Sequence, residues 1–412
     1  MKNSRIKEVV MRRAYEQVIE EHLEQNRQML FLMGPRQVGK TTTSLEASSL
    51  NPNHYYFNWD NQSHRLLIIA GQEAVATQMQ LHILREKPPI VVFDEIHKFP
   101  HWKDFLKGFF DVYGGVTKII VTGSARLDIL NFGGDSLMGR YFLYRLHPLS
   151  VRELIDPIIS DEEIRNPKQI LDEDLKNLLL FGGFPEPFLQ KNSRFYNRWK
   201  KLRLKQLFQE DLSDISNIQE IGQLQILTDL LQEQSAQLLN FSELAKKVRI
   251  SGETARRWID TLKALYYCFT IHPWTTNISR SLLKEPKLYL WDWSIIDEKG
   301  RKLENFIASH LLKAIHFWTD RGFGDYGLYF LRDKEKREVD FLVTKDGKPW
   351  FLVEVKASSN GGLSKSLFHF QEQTLAPHAF QVVFDLPFVN QNCFSHHKPI
   401  IVPVSTFLSQ LV

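Results

Sequence analysis

Residues 34–41 read Gly34-Pro35-Arg36-Gln37-Val38-Gly39-Lys40-Thr41, a glycine, four residues, then Gly-Lys-Thr. An apolar run, MLFLM (29–33), enters this stretch and a helix-compatible run leaves it. Glycines let the backbone curl so that its N–H groups face phosphates, and the helix start adds its positive dipole end. The pattern therefore predicts ATP bound along Gly34, Pro35, Arg36, Gln37, Val38, Gly39, Lys40, Thr41 and Thr42, with Lys40 reaching the β- and γ-phosphates. The Thr41 hydroxyl is the expected Mg²⁺ ligand. A second apolar run ends in Phe93-Asp94-Glu95. Asp94 is expected to order the Mg²⁺ shell and Glu95 to polarise the attacking water. The next strand-like run ends at Ser124, the expected γ-phosphate sensor. Arg140, in SLMGRY, is the candidate charge-neutralising arginine, in cis or from a neighbouring subunit, with a surface salt bridge as the alternative.

A second chemical cluster lies near the C-terminus. Glu304 falls on a predicted helix (303–318), Asp340 ends Arg337-Glu338-Val339-Asp340, and Glu354-Val355-Lys356 follows across a hairpin turn at Asp346-Gly347. The two-residue period of a strand puts Glu354 and Lys356 on one face. Acid followed by Glu-x-Lys resembles the PD-(D/E)xK nuclease core. That resemblance implies Asp340, Glu354 and Glu304 as ligands of Mg²⁺ or Mn²⁺, and Lys356 as the catalytic lysine acting on water. Gln371 is a weaker accessory candidate. The competing reading is an exposed charged sheet.

Between these clusters lies a helix-turn-helix pattern. Phe241–Val248 is amphipathic, Arg249-Ile250 turns the chain, and Ser251 is placed to cap a helix from Gly252 to Leu265. Ala245, Val248, Ile250, Ala255, Ile259 and Leu262 would face inward, leaving Glu253, Arg256, Arg257 and Lys263 outside. Strand-like runs follow, flanking a basic loop with Arg280, Lys284 and Lys287, the expected wing. Residues 241–290 hold nine Lys and Arg against four Asp and Glu, a larger surplus than the +4 of all 412 residues. A concentrated positive charge of this kind suits DNA phosphates. The alternative is a domain or oligomer contact.

The elements that must hold these residues follow from periodicity. Up to about residue 150, strand-like MLFLM, HYYFNW (54–59), PIVVFD (89–94) and TKIIVTG (117–123) alternate with helical stretches such as 102–112. Alternation of this kind gives a parallel sheet faced by helices. Residues 151–235 read as helical. From 303 a helix precedes the strand-like runs GLYFLR, REVDFLVT and PWFLVEVK. At 43% hydrophobic and 24% charged residues the chain is globular rather than disordered. Two separated cysteines, Cys268 and Cys393, argue against structural zinc or a disulfide framework. No apolar run reaches the roughly 18 residues of a membrane span, and the charged start does not resemble a secretory core. The expected location is the cytoplasm.

GPRQVGKTT, VVFDEIHKFP, VTGSAR, SLMGRYFLYRLHPLSVREL and GGFPE (182–186) together resemble a family of bacterial and archaeal AAA+ ATPases with a C-terminal restriction-endonuclease-like domain. The resemblance runs from about residue 12 to 405. It implies an α/β multidomain protein in four parts. These are an AAA+ P-loop core (1–150), a helical lid (151–235), a winged helix (236–300) and a restriction-endonuclease-like α/β domain (301–412). The expected function is ATP hydrolysis acting on DNA with a metal-dependent nuclease-like domain, in a possible homo-oligomer. The alternative is an ATP-driven switch or remodeller whose winged helix and nuclease-like fold bind partners without cleavage.

Overall fold

Strands that are apolar on both faces belong in the middle of a parallel sheet, and two of the described strands before residue 150 are buried throughout. They are β1 (Met29–Met33) and β3 (Ile90–Asp94). In the computed structural model, which describes residues 11–123, 137–208, 221–275 and 285–412, they join β2 (His54–Asn58), β4 (Lys118–Gly123) and β5 (Tyr141–Arg145). The order is β2-β3-β4-β1-β5, and every neighbouring pair is parallel. Alternate residues of β1 serve different layers: Leu30 and Leu32 pack with the helices Ala14–Gln25 and Lys40–Ser49. Met29, Phe31 and Met33 share the opposite layer with the helix Trp102–Tyr113. There Phe105 and Phe109 meet Phe93 edge-on at 5.6 and 5.5 Å, a favoured aromatic geometry.

Residues 151–233 supply the helices Val151–Ile155, Asp172–Phe181, Pro185–Gln190, Ser193–Gln206 and Ile221–Glu233. The GGFPE run turns between two of them. A Cβ on Gly183 would sit 2.6 Å from the Trp293 ring and 2.8 Å from the Leu149 carbonyl, so only glycine fits. The Leu149 N–H donates to the Gly183 carbonyl at 2.7 Å. The PLS and GGFPE motifs therefore touch, although 33 residues separate Ser150 from Gly183.

The helices Phe241–Val248 and Gly252–Ala264 follow. Ser251 caps the second through Thr254 N–H, and Arg249 adopts the left-handed turn conformation between them. Leu244, Ala245, Val248, Ala255, Trp258, Ile259 and Leu262 are buried. The chain then enters a second sheet formed by β6 (Gln237–Leu238), β7 (Cys268–Pro273), β8 (Lys287–Leu290), β9 (Tyr326–Arg332), β10 (Glu338–Lys345), β11 (Lys348–Lys356), β12 (His378–Val383) and β13 (Ile400–Pro403). Its order is β13-β12-β11-β10-β9-β7-β8-β6. β7 pairs in parallel with β9 through His272 and Tyr329. One sheet thus crosses residue 300, the boundary expected between the last two domains. The long helix Lys299–Asp320 supplies buried residues to the main core.

The turn between β10 and β11 has positive φ at both Asp346 (50°) and Gly347 (75°), the two-residue hairpin that its sequence predicts. Cys268 and Cys393 are buried free thiols. Among the described residues, no helix is long and apolar enough to cross a membrane.

Candidate functional sites

The parallel sheet gathers its polar residues at one end. β1 runs into the loop 34–39, and the helix Lys40–Ser49 begins where the loop closes. A Cβ on Gly34 would lie 2.2 Å from the Leu146 carbonyl oxygen, and Gly39 has φ +100°. Both positions require glycine. Lys40 is buried, and its Nζ donates to the carbonyls of Gly34 (2.9 Å) and Pro35 (2.8 Å). Gln37 also has positive φ (62°), and its amide donates to Gln206 at 3.2 Å, joining the loop to the helix Ser193–Gln206. Arg36 lines a cleft with Trp199, Arg203 and Tyr266, while Thr42 is exposed.

Asp94 is 3% exposed at the end of β3 and collects three hydroxyl donors. Thr41 Oγ1 donates at 2.9 Å, Tyr56 OH at 2.7 Å, and Thr122 Oγ1 donates to the other carboxylate oxygen. Burial, then the hydrogen bond to Asp94, raise the Tyr56 phenol above its ordinary range. Thr41 and Asp94 thus stand side by side, hydroxyl against carboxylate. This is the oxygen donor set a Mg²⁺ shell needs beside a nucleotide. Glu95 has φ 55°, a left-handed conformation that is strained for a non-glycine residue and turns its side chain out of the strand line. Its Oε2 is buried without a hydrogen-bond donor, with His97 at 3.6 Å and Lys98 at 3.5 Å.

Residues 26–155 match the family model described as an AAA domain. The chain carries an AAA-type ATPase domain. Residues 172–298 and 299–386 match two domains of unknown function. An uncharacterized protein of Mycobacterium tuberculosis is 23% identical over 354 residues, covering 82% of this chain and 72% of the relative. One of Methanocaldococcus jannaschii is 24% identical over 343 residues, covering 79% and 73%. Among solved structures, the Walker-type ATPase of Pyrococcus abyssi aligns at TM-score 0.42 and 16% identity, covering 70% of this chain and 95% of that one.

Ser124 lies outside the described residues. Arg140 does not face the nucleotide loop of its own chain. β5 runs parallel to β1 with Tyr141 opposite Met29, and the Met29 N–H donates to the Arg140 carbonyl. Arg140 therefore stands at the N-terminal sheet edge, a strand length of roughly 13 Å from the loop end. Its guanidinium forms a forked pair with Asp111 at 2.8 and 3.0 Å. The in-cis role is corrected.

Sequence reasoning missed the support behind the loop. Arg13, 4% exposed, donates to the Val38 carbonyl (2.7 Å), the His147 carbonyl (2.7 Å) and Glu153 (2.8 Å). Glu153 also accepts from Lys313 Nζ at 2.5 Å, on the helix Lys299–Asp320. Burial works to raise the Glu153 carboxyl, but Arg13 and Lys313 outweigh it and hold it at about 2. The three partners come from distant segments, so no local pattern marks them.

The C-terminal cluster differs from expectation. Glu354 and Lys356 project from one face of β11 and pair at 2.7 Å, and Asp340 accepts the Val355 N–H at 2.8 Å. Lys287, expected on an exposed wing, is instead 4% exposed on β8. Its ammonium lies 3.0 Å from Glu304, 2.6 Å from Glu338 and 3.7 Å from Asp340. Tyr289 OH donates to the same Glu304 oxygen at 2.8 Å. Arg280 and Lys284 lie outside the described residues. Burial and the Asp340 charge push Glu304 and Glu354 each up to about 7. Among the described residues, no group of three or more His, Cys, Asp or Glu is arranged to hold a metal ion. Asp340 thus lies close enough for its charge to act on both Glu304 and Glu354, and Glu354 Oε2 is buried without a donor, but one Glu304 oxygen already accepts from Lys287 and Tyr289. Gln371 donates to the carbonyls of Ala376 and His397, which makes it a tie between its helix and the adjoining loops rather than an accessory ligand.

Proposed function

We propose that this ATPase acts on DNA as an ATP-driven remodeller, with a helical lid over residues 151–235, a winged helix over 236–300 and a nuclease-like α/β domain beyond. Lys40 would hold the β- and γ-phosphates, Thr41 and Asp94 the Mg²⁺, and Glu95 would draw the proton from the attacking water. The Mg²⁺ would supply charge neutralisation on the phosphates; the chain's own groups orient and deprotonate. Ser124 is retained as the proposed γ-phosphate sensor, and Arg140 could serve only a neighbouring subunit of a homo-oligomer.

The observation that carries this reading is the buried chain from the Val38 carbonyl through Arg13 and Glu153 to Lys313. Movement of the nucleotide loop cannot leave Arg13 unchanged without breaking a buried charge contact. Lys313 lies on the helix that also bears Glu304 and opens the C-terminal domain. Nucleotide state therefore has a continuous polar route into that domain. DNA contact is supported by Arg256 and Arg257 on the outer face of the helix Gly252–Ala264, both exposed. Of the two roles open to the C-terminal domain, partner binding is favoured over cleavage by the position of Lys287. The test is ATP turnover with and without duplex, single-stranded and branched DNA. Stimulation by at least one form is expected, and a rate indifferent to all three would remove DNA as the partner.

A further inference from the structure

Lys287 and Tyr289 are two residues apart on β8, so both project from the same face of the strand. That face looks into the acid cluster. The ammonium of Lys287 contacts Glu304 and Glu338 within 3.0 Å and approaches Asp340 at 3.7 Å. The Lys287 side chain is only 5% exposed. An ammonium so enclosed among carboxylates is an internal countercation, at hydrogen-bond distance from Glu304 and Glu338 and within ion-pair distance of Asp340. Glu338 has a second cation, Arg332, at 3.1 Å. Lys356 pairs with one Glu354 oxygen at 2.7 Å, while the other, Oε2, is buried without a hydrogen-bond donor among the described residues. Three cationic side chains thus meet four carboxylates. A divalent ion entering between Glu304 and Asp340 would stand beside the Lys287 charge, and the two would repel.

We propose that Lys287 is the resident cation of the C-terminal cluster and closes it to divalent metal, so that this domain works as a metal-free module. The inference deepens the partner-binding reading of the C-terminal domain. It needs neither DNA nor ATP turnover, so its failure is separable from failure of the remodeller reading. The lysine comes from β8, which pairs antiparallel with β7, and β7 in turn pairs with β9. Closure is therefore built into the sheet.

The experiment is a Mn²⁺ titration of the full-length, nucleotide-free protein, following the signal of free Mn²⁺ by electron paramagnetic resonance. Wild type should show no Mn²⁺ site that Asp340→Asn removes. Lys287→Met should gain one Mn²⁺ per chain, tightened by about 10²-fold or more through loss of the neighbouring charge, and Lys287→Met/Asp340→Asn should lose it again. Lys287→Gln serves as a second neutral variant if Lys287→Met does not fold, with ATP turnover reporting the integrity of each protein. An Asp340-dependent Mn²⁺ site in wild type overturns the proposal without any variant at position 287. So does a folded neutral variant that gains no site.

Discussion

Replacing Lys313 by Met removes one ammonium from the interior while keeping the length of the side chain. Lys313 and Glu153 are 2% and 1% exposed, so neither can turn to water for compensation. Glu153 is held at about 2 against an ordinary 4.5, which corresponds to about 3 kcal/mol in favour of the ionised form. That figure is what Arg13 and Lys313 together achieve beyond the cost of burying Glu153 alone, for burial pulls the Lys313 ammonium itself down to about 8. Breaking a buried pair from one side costs about 3–5 kcal/mol. Because Arg13 remains at 2.8 Å, the low end applies, and Lys313→Met should lose about 3 kcal/mol. The sign with pH follows from the depressed carboxyl. A group with a lower pKa in the folded state contributes stability above its unfolded pKa and loses it as pH falls toward 2. In Lys313→Met the Glu153 carboxyl rises, so acid unfolding should begin at higher pH. Urea unfolding at pH 7 and an acid titration, both followed by tryptophan fluorescence, measure the two effects. ATP turnover of the folded variant adds a readout that packing alone would not move: KM should rise through Arg13 and the Val38 carbonyl. Stability within about 0.5 kcal/mol of wild type, with an unchanged acid midpoint, would refute the charge network as a structural tie.

Three further outcomes follow from the sites. Lys40→Ala should abolish ATP turnover, while Glu95→Gln should keep nucleotide binding and slow hydrolysis by about 10²-fold or more; turnover of Glu95→Gln within a few-fold of wild type would reassign the water-polarising role. Reversing charge at Arg256 and Arg257 should weaken DNA association and flatten its salt dependence through fewer released counterions; an anisotropy titration with unchanged affinity and slope would move this face to protein contact. Arg140→Ala should leave ATP turnover unchanged in a monomer, since its partner is Asp111 at 2.8 Å; a fall that appears only in an assembled oligomer would identify an arginine acting on a neighbour.

What was legible in the sequence was local. Gly34 and Gly39 mark the loop because the backbone conformations they adopt exclude other residues, and Ser251 marks a helix start because its side chain satisfies a free N–H. The Asp346-Gly347 turn and the apolar runs at 29–33 and 90–94 depend on neighbours alone. What failed depended on strand order. Arg140 can be assigned to an end of the sheet only once β5 is known to lie beside β1 in parallel. Lys287 read as a wing residue because it follows Arg280 and Lys284 in a basic run, whereas the pairing of β7 with β9 carries its strand into the C-terminal sheet. The Arg13–Glu153–Lys313 group spans 300 residues of sequence from first to last member, and no spacing rule reaches that far.

The two buried lysines have a common logic that bears on how the protein moves. Lys313 leaves the C-terminal helix to complete a charge pair behind the nucleotide loop, and Lys287 leaves β8 to complete one against Glu304 on that same helix. Glu304 and Lys313 are nine residues apart, about 13 Å along the axis at 1.5 Å per residue. A single rigid helix therefore touches the loop-supporting network with one side chain and the acid cluster with another. Any displacement of the helix strains both, because each contact is a buried pair that breaks at a cost of kilocalories rather than a surface pair that re-forms in water. A ligand that moved the helix would have to offset both contacts together; under the proposed remodeller role, the helix Lys299–Asp320 is where ATP state and the C-terminal domain would bias each other.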